Sequence, residues 1–151
     1  MALNKGMMTS NSDEWTTPRW LFDRLNKRFQ FTLDAAAAKE NALCHYYFTK
    51  EEDGLQFRWD NQRVFCNPPY SNIAKWAKHF SEQADRANLI VALVPARVDT
   101  AWWQDHIAKA DFVHFIRGRL RFGDSKNSAP FPSALAFWFG LDRICRRPSC
   151  Q

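Results

Sequence analysis

Residues 88–95, "NLIVALVP", are apolar almost without a break. A strand exposed on one face alternates apolar with polar, so a continuous run reads as a strand covered on both faces, the usual state of a parallel strand between helical layers. Such a strand needs layers around it, and the neighbouring sequence offers them. "RVFCN" at 63–67 reads as a second strand, and a helix expected from about Ile73 sets Trp76, Ala77, Phe80 and Ala84 on one side. A further helix carrying Trp102, Trp103, His106 and Ile107 is expected after the 88–95 run.

Upstream, in "TTPRWLFDRLNKRF", Thr17 is placed to cap a helix whose first position is Pro18, a residue without the donor that would be orphaned there. Leu21, Leu25 and Phe29 then share one face. "FTLD" at 31–34 is a short buried-strand candidate ending on an acid, whereas 35–60 mixes helix formers, aromatics and an acidic loop closing at Asp53-Gly54. The last third, "DFVHFIRGRLRFGDSKNSAPFPSALAFWFG", reads as a strand, a basic loop and a second strand, with no room for a crossover helix. The class expected is α/β, a mostly parallel sheet with an antiparallel edge hairpin.

With 151 residues, 46% of them hydrophobic, the chain can build one core but hardly two. The expected organisation is a flexible arm at 1–12, one domain at 13–140 and a basic tail at 141–151. Lys and Arg number 21 against 16 Asp and Glu, and the resulting +5 suits a polyanion such as DNA or RNA without selecting one. Cys44, Cys66, Cys145 and Cys150 lack CxxC spacing and lack His partners at zinc spacing, so free thiols in a reducing cytoplasm are expected and a metal site is not. No apolar run approaches the length needed to span a membrane, and the first residues carry no apolar leader.

In an open α/β sheet, ligands bind beyond the C-terminal ends of the strands. Asp34 and Asn67 stand at two such ends and Arg97 follows a third. Behind Asn67 lies "PPY". Pro68 and Pro69 lack N–H groups and have fixed φ angles, so they hold the Asn67 side chain and the Pro68 carbonyl in one orientation. Two acceptors facing one way suit an amino group with two hydrogens, and Tyr70 adds a flat face. A planar ring bearing an exocyclic amine would fit.

"NPPY" after a buried strand resembles the catalytic motif of amino-methyltransferases that use S-adenosylmethionine. Together with "DEWTTPRWLFDRLNKRFQFTLDAAAAKENA", "YYFTKEEDGL", "LVPARVDTAWW" and "FIRGRLRFGDSKNSAPFPSALAFW", it makes the chain resemble the phage-type DNA adenine-N6-methyltransferase (Dam-like) family over about residues 13–139. The resemblance implies a Rossmann-like methyltransferase fold, with cofactor contacts at Thr17, Pro18, Asp34 and Asp53. It implies that Asn67, Pro68, Pro69 and Tyr70 receive a flipped-out adenine. Arg117, Arg119, Arg121 and Lys126 in the basic loop would meet DNA phosphates. A phage or prophage gene acting in a bacterial cytoplasm is implied as well.

The motif alone leaves other amines open: cytosine N4, an RNA base or a protein glutamine. After Asp34 the chain reads "AAAAKEN", without the Gly-rich turn of the broader methyltransferase pattern. That departure keeps a decayed nucleic-acid-binding module as the alternative from a different class.

Overall fold

Parity along the two central strands explains the unbroken apolar run. In the computed structural model, which describes residues 15–146, Val64 and Cys66 with Ile90, Ala92 and Val94 enter one apolar layer, while Phe65 with Leu89, Val91 and Leu93 enter the other. Every residue of the longer strand is buried. Full burial of such side chains contributes about 1.5–3 kcal/mol each, so both faces must be covered for the strand to be worth its apolar content.

The sheet has six strands: β1 (Leu33–Asp34), β2 (Tyr46–Tyr47), β3 (Arg63–Cys66), β4 (Leu89–Pro95), β5 (Phe112–Phe115) and β6 (Ser133–Trp138). Their spatial order is β2-β1-β3-β4-β6-β5. The first four run parallel, and β6 inserts antiparallel between β4 and β5. One layer brings Trp76 and Phe80 of α2 (Ile73–Gln83) and Trp103 of α3 (Ala101–Asp105) onto the sheet; the other brings Leu21 and Phe22 of α1 (Arg19–Phe29). This is the mostly parallel α/β sheet with an antiparallel edge hairpin that the sequence pattern predicts.

Several local expectations change. β4 is parallel to β3 alone and antiparallel to β6, because burial on both faces comes from the flanking layers and does not fix strand direction. Helix α1 begins one residue later than expected: Pro18, at φ −58° and ψ 126°, is the N-cap itself, and among the described residues no side chain caps the helix. Thr17 is thereby released for another use. The third helix is one and a half turns long and passes through His106 into a 3-10 turn at Ile107–Lys109. The loop between β5 and β6 is no bare hairpin tip, since Leu120, Phe122, Ala129 and Phe131 are buried in the α1-side layer.

The arm at 1–12 lies outside the described residues, as does the end of the chain from 147. Gly140–Arg146, at the start of the segment expected as a tail, forms a 3-10 helix held by Leu141 N–H donating to the Ala87 carbonyl at 3.0 Å and by an Arg63–Asp142 ion pair at 2.5 Å. Among the described residues no helix is long and apolar enough to cross a membrane.

Candidate active site

The parallel register of β1 and β3 sets Asp34 and Asn67 at neighbouring strand ends, with Asp34 opposite Phe65. Both line one cavity of about 840 Å³, together with Thr17, Asp53, Pro69 and Asn72. Ala35, Leu43 and Trp76 supply apolar lining, and Glu40 and Lys50 add charge.

Asp34 is almost wholly buried. Its carboxylate accepts from Leu43 N–H at 3.1 Å and, more weakly, from Ala36 N–H at 3.4 Å, which ties the 36–43 segment back onto the strand end. Burial outweighs these bonds and pushes its pKa from 3.8 up to about 6. The thiols beside it stay neutral: burial and then the Asp34 charge lift Cys44 to about 12 and Cys66 well above its ordinary value.

Across the cavity, Asp53 sits at φ 56° and caps the 3-10 turn Gly54–Gln56, accepting from Leu55 N–H and Gln56 Nε2, both at 3.1 Å. The next residue must be glycine for steric reasons. A Cβ on Gly54 would stand 2.3 Å from the Ala35 carbonyl oxygen and 3.2 Å from the Trp76 ring. The absent side chain lets the two loops meet beside Trp76.

Asn67 decides what the cavity can do. Its Nδ2 donates to the Trp15 carbonyl and to Thr17 Oγ1, the latter at 3.1 Å. A carbonyl can only accept, so the amide nitrogen must face Trp15 and the oxygen must face the other way. Oδ1 is buried and has no hydrogen-bond partner among the described residues. Buried acceptors are seldom left so, and this one calls for a donor that arrives from outside.

Beside it, Pro69 lines the cavity and Pro68 is buried. Tyr70 starts a 3-10 turn and packs on the edge of Phe131 with ring centroids 5.5 Å apart. Its hydroxyl is buried without a partner among the described residues, and that burial pushes the phenol pKa up.

The sequence model of the family described as "DNA N-6-adenine-methyltransferase (Dam)" matches residues 5–136. The chain belongs to this family. Among curated relatives, a "DNA N-6-adenine-methyltransferase" of Escherichia phage T1 is 34% identical over 140 residues, covering 90% of this chain and 59% of that protein. Another of the same name, from Haemophilus phage HP1 (strain HP1c1), is 27% identical over 117 residues, covering 75% of this chain and 68% of its own. The chain thus spans about three fifths of the phage T1 relative's length.

Of the residues singled out from this Dam-family sequence, Thr17, Asp34, Asp53, Asn67 and Pro69 meet at the cavity; Pro18, Pro68 and Tyr70 do not line it. Pro18 instead ends the extended segment and accepts from Leu21 and Phe22 N–H at the start of α1. Arg97 is exposed, does not line the cavity and forms no ion pair among the described residues. Arg117, Arg119, Arg121 and Lys126 are exposed, and none is in an ion pair among the described residues. Their loop is anchored next to the cavity through Gly123 N–H donating to the Thr16 carbonyl at 2.8 Å.

Two contributors escape a reading by residue type. Trp15 acts on Asn67 through a backbone carbonyl, which has no sequence signature, while its ring meets Phe122 and Phe131 edge-on at 5.3 and 5.2 Å. Gly54 was visible only as half of an Asp-Gly turn.

Proposed function

We propose that this chain transfers a methyl group from S-adenosylmethionine to the N6 amine of an adenine in DNA. The single observation that carries the reading is the Asn67 amide: its nitrogen end is held by Trp15 and Thr17, and its oxygen is a buried acceptor with no partner among the described residues, on a side chain whose residue lines the cavity. An incoming amine is the donor that this oxygen lacks.

The cavity chemistry fits the cofactor. An apolar wall with Trp76 suits its adenine, and the carboxylates of Asp34, Glu40 and Asp53 suit hydroxyl and ammonium groups. Asp34 and Asp53, which both line the cavity, are the proposed cofactor neighbours. S-adenosylmethionine, when bound, supplies an electrophilic methyl on a sulfonium.

The chain's own residues do the positioning. A ring amine is a weak nucleophile because its lone pair is delocalised into the base. Hydrogen bonds from its two hydrogens to Asn67 Oδ1 and the Pro68 carbonyl favour the pyramidal nitrogen that can attack in line, so no strong base is needed before attack. The rigid Pro-Pro pair keeps both acceptors in place. Adenine must leave the duplex to reach them, at a cost of about a few kcal/mol, which stacking on Tyr70 offsets in part. Arg117, Arg119, Arg121 and Lys126 are proposed phosphate contacts, and a bacterial cytoplasm is the proposed place of action, supported by the phage relatives.

The test is incubation with methyl-labelled S-adenosylmethionine and unmethylated genomic DNA, then digestion to nucleosides and mass spectrometry. Labelled N6-methyladenine is expected, and it should be lost in Asn67→Ala. Label found only at cytosine, or in no nucleoside although the cofactor binds, rejects the adenine assignment.

A further inference from the structure

An amide that must present its oxygen has to be kept from turning over. The two ends of the Asn67 side chain are nearly the same size, so packing alone does not tell them apart; only hydrogen bonding does. The Trp15 carbonyl takes one Nδ2 hydrogen and Thr17 Oγ1 takes the other at 3.1 Å. Thr17 is itself fixed in place. It is buried, and it lies between Thr16, whose carbonyl is bonded to Gly123, and Pro18, the N-cap of α1.

We propose that Thr17 is a positioning residue for methyl transfer, its hydroxyl locking the Asn67 amide so that Oδ1 faces the substrate amine. The inference rests on the reading of Asn67 given above. It differs from a cofactor contact in what it predicts. Without the hydroxyl, one Nδ2 hydrogen is left without its protein partner in a half-buried site, and the amide can relax away from the orientation that the amine needs. The loss falls on the chemical step. A residue that merely touched the cofactor would act on cofactor affinity.

The experiment measures kcat and KM for DNA, together with cofactor dissociation constants by calorimetry, for Thr17→Val, Thr17→Ala, Thr17→Ser, Asn67→Ala and the Thr17→Val/Asn67→Ala double variant. Thr17→Val and Thr17→Ala should each lower kcat by roughly 10- to 100-fold with cofactor affinity kept, Thr17→Ser should restore kcat to within about 3-fold, and the double variant should be no slower than Asn67→Ala alone. Two alanine or valine variants guard against one that fails to fold. Weakened cofactor binding with an unchanged kcat at saturation overturns the proposal in favour of a cofactor contact. An inactive Asn67→Ala beside Thr17→Val and Thr17→Ala at wild-type kcat overturns the positioning role alone, whereas a fully active Asn67→Ala overturns it together with the reading on which it rests.

Discussion

Asp34 makes stability depend on pH in a direction opposite to that of most carboxylates. A surface-paired acid stabilises the fold when ionised, but Asp34 is buried and its pKa is raised from 3.8 to about 6. Between those values the folded state holds a proton that the unfolded chain has released. Stability due to this group is therefore complete below about pH 3.8 and is lost as pH rises through about 6. At about 1.4 kcal/mol per pKa unit, the span amounts to about 3 kcal/mol lost by pH 7. Urea unfolding of the wild type and of Asp34→Asn at intervals from pH 4 to pH 7.5 isolates the term. His79, whose pKa burial lowers, titrates alike in both proteins and cancels in the difference. The variant should carry a constant offset, since an amide cannot accept from both Leu43 and Ala36 N–H as the carboxylate does, and it should lack the part of that fall, about 2.4 kcal/mol, that lies between pH 4 and pH 7.5. Parallel stability curves for the two proteins across this range would show that the carboxylate is solvated and that burial is not what governs it.

The buried Tyr70 hydroxyl has no partner among the described residues, so Tyr70→Phe should stabilise the fold by about 1–3 kcal/mol in urea titration while the ring keeps its contact with Phe131. A loss of stability would mean that the hydroxyl is bonded in solution. Replacing Arg117, Arg119, Arg121 and Lys126 by glutamine should make the salt dependence of DNA binding shallower by about 3 to 4 in log–log slope if all four meet phosphates. An unchanged slope in a fluorescence-anisotropy titration would take the DNA interface elsewhere.

What could be read from the sequence was what depends on local pattern. The strand at 89–95 announces two-sided burial because each of its residues must enter one layer or the other, and Asp34 and Asn67 follow from the strand-end rule once β1 and β3 are placed. Pattern carries no sign of strand direction, so the antiparallel partner of β4 had to come from the β5–β6 segment. Arg97 shows the limit of the strand-end rule: it fixes where the backbone emerges, and the side chain here turns to solvent. Thr17 is expected from the sequence as a helix cap and, through the resemblance, as a cofactor contact; the structure moves the cap to Pro18, and neither pattern points to the amide that its hydroxyl binds, 50 residues away.

That remote pairing explains how the site is assembled. Three successive residues before α1 each hold a different part of it. The Trp15 ring sits against Phe122 and Phe131, the Thr16 carbonyl binds Gly123 of the basic loop, and the Thr17 hydroxyl and Trp15 carbonyl hold Asn67. Phe131 in turn meets Tyr70, so the loop bearing the four cations and the NPPY turn are packed through a shared aromatic cluster. Under the proposed function, DNA phosphates held by that loop and an adenine held at Asn67 are referred to the same short segment of backbone. A rigid reference of this kind places the reacting amine, because every contact made by the loop is already registered against the acceptor that the amine must reach.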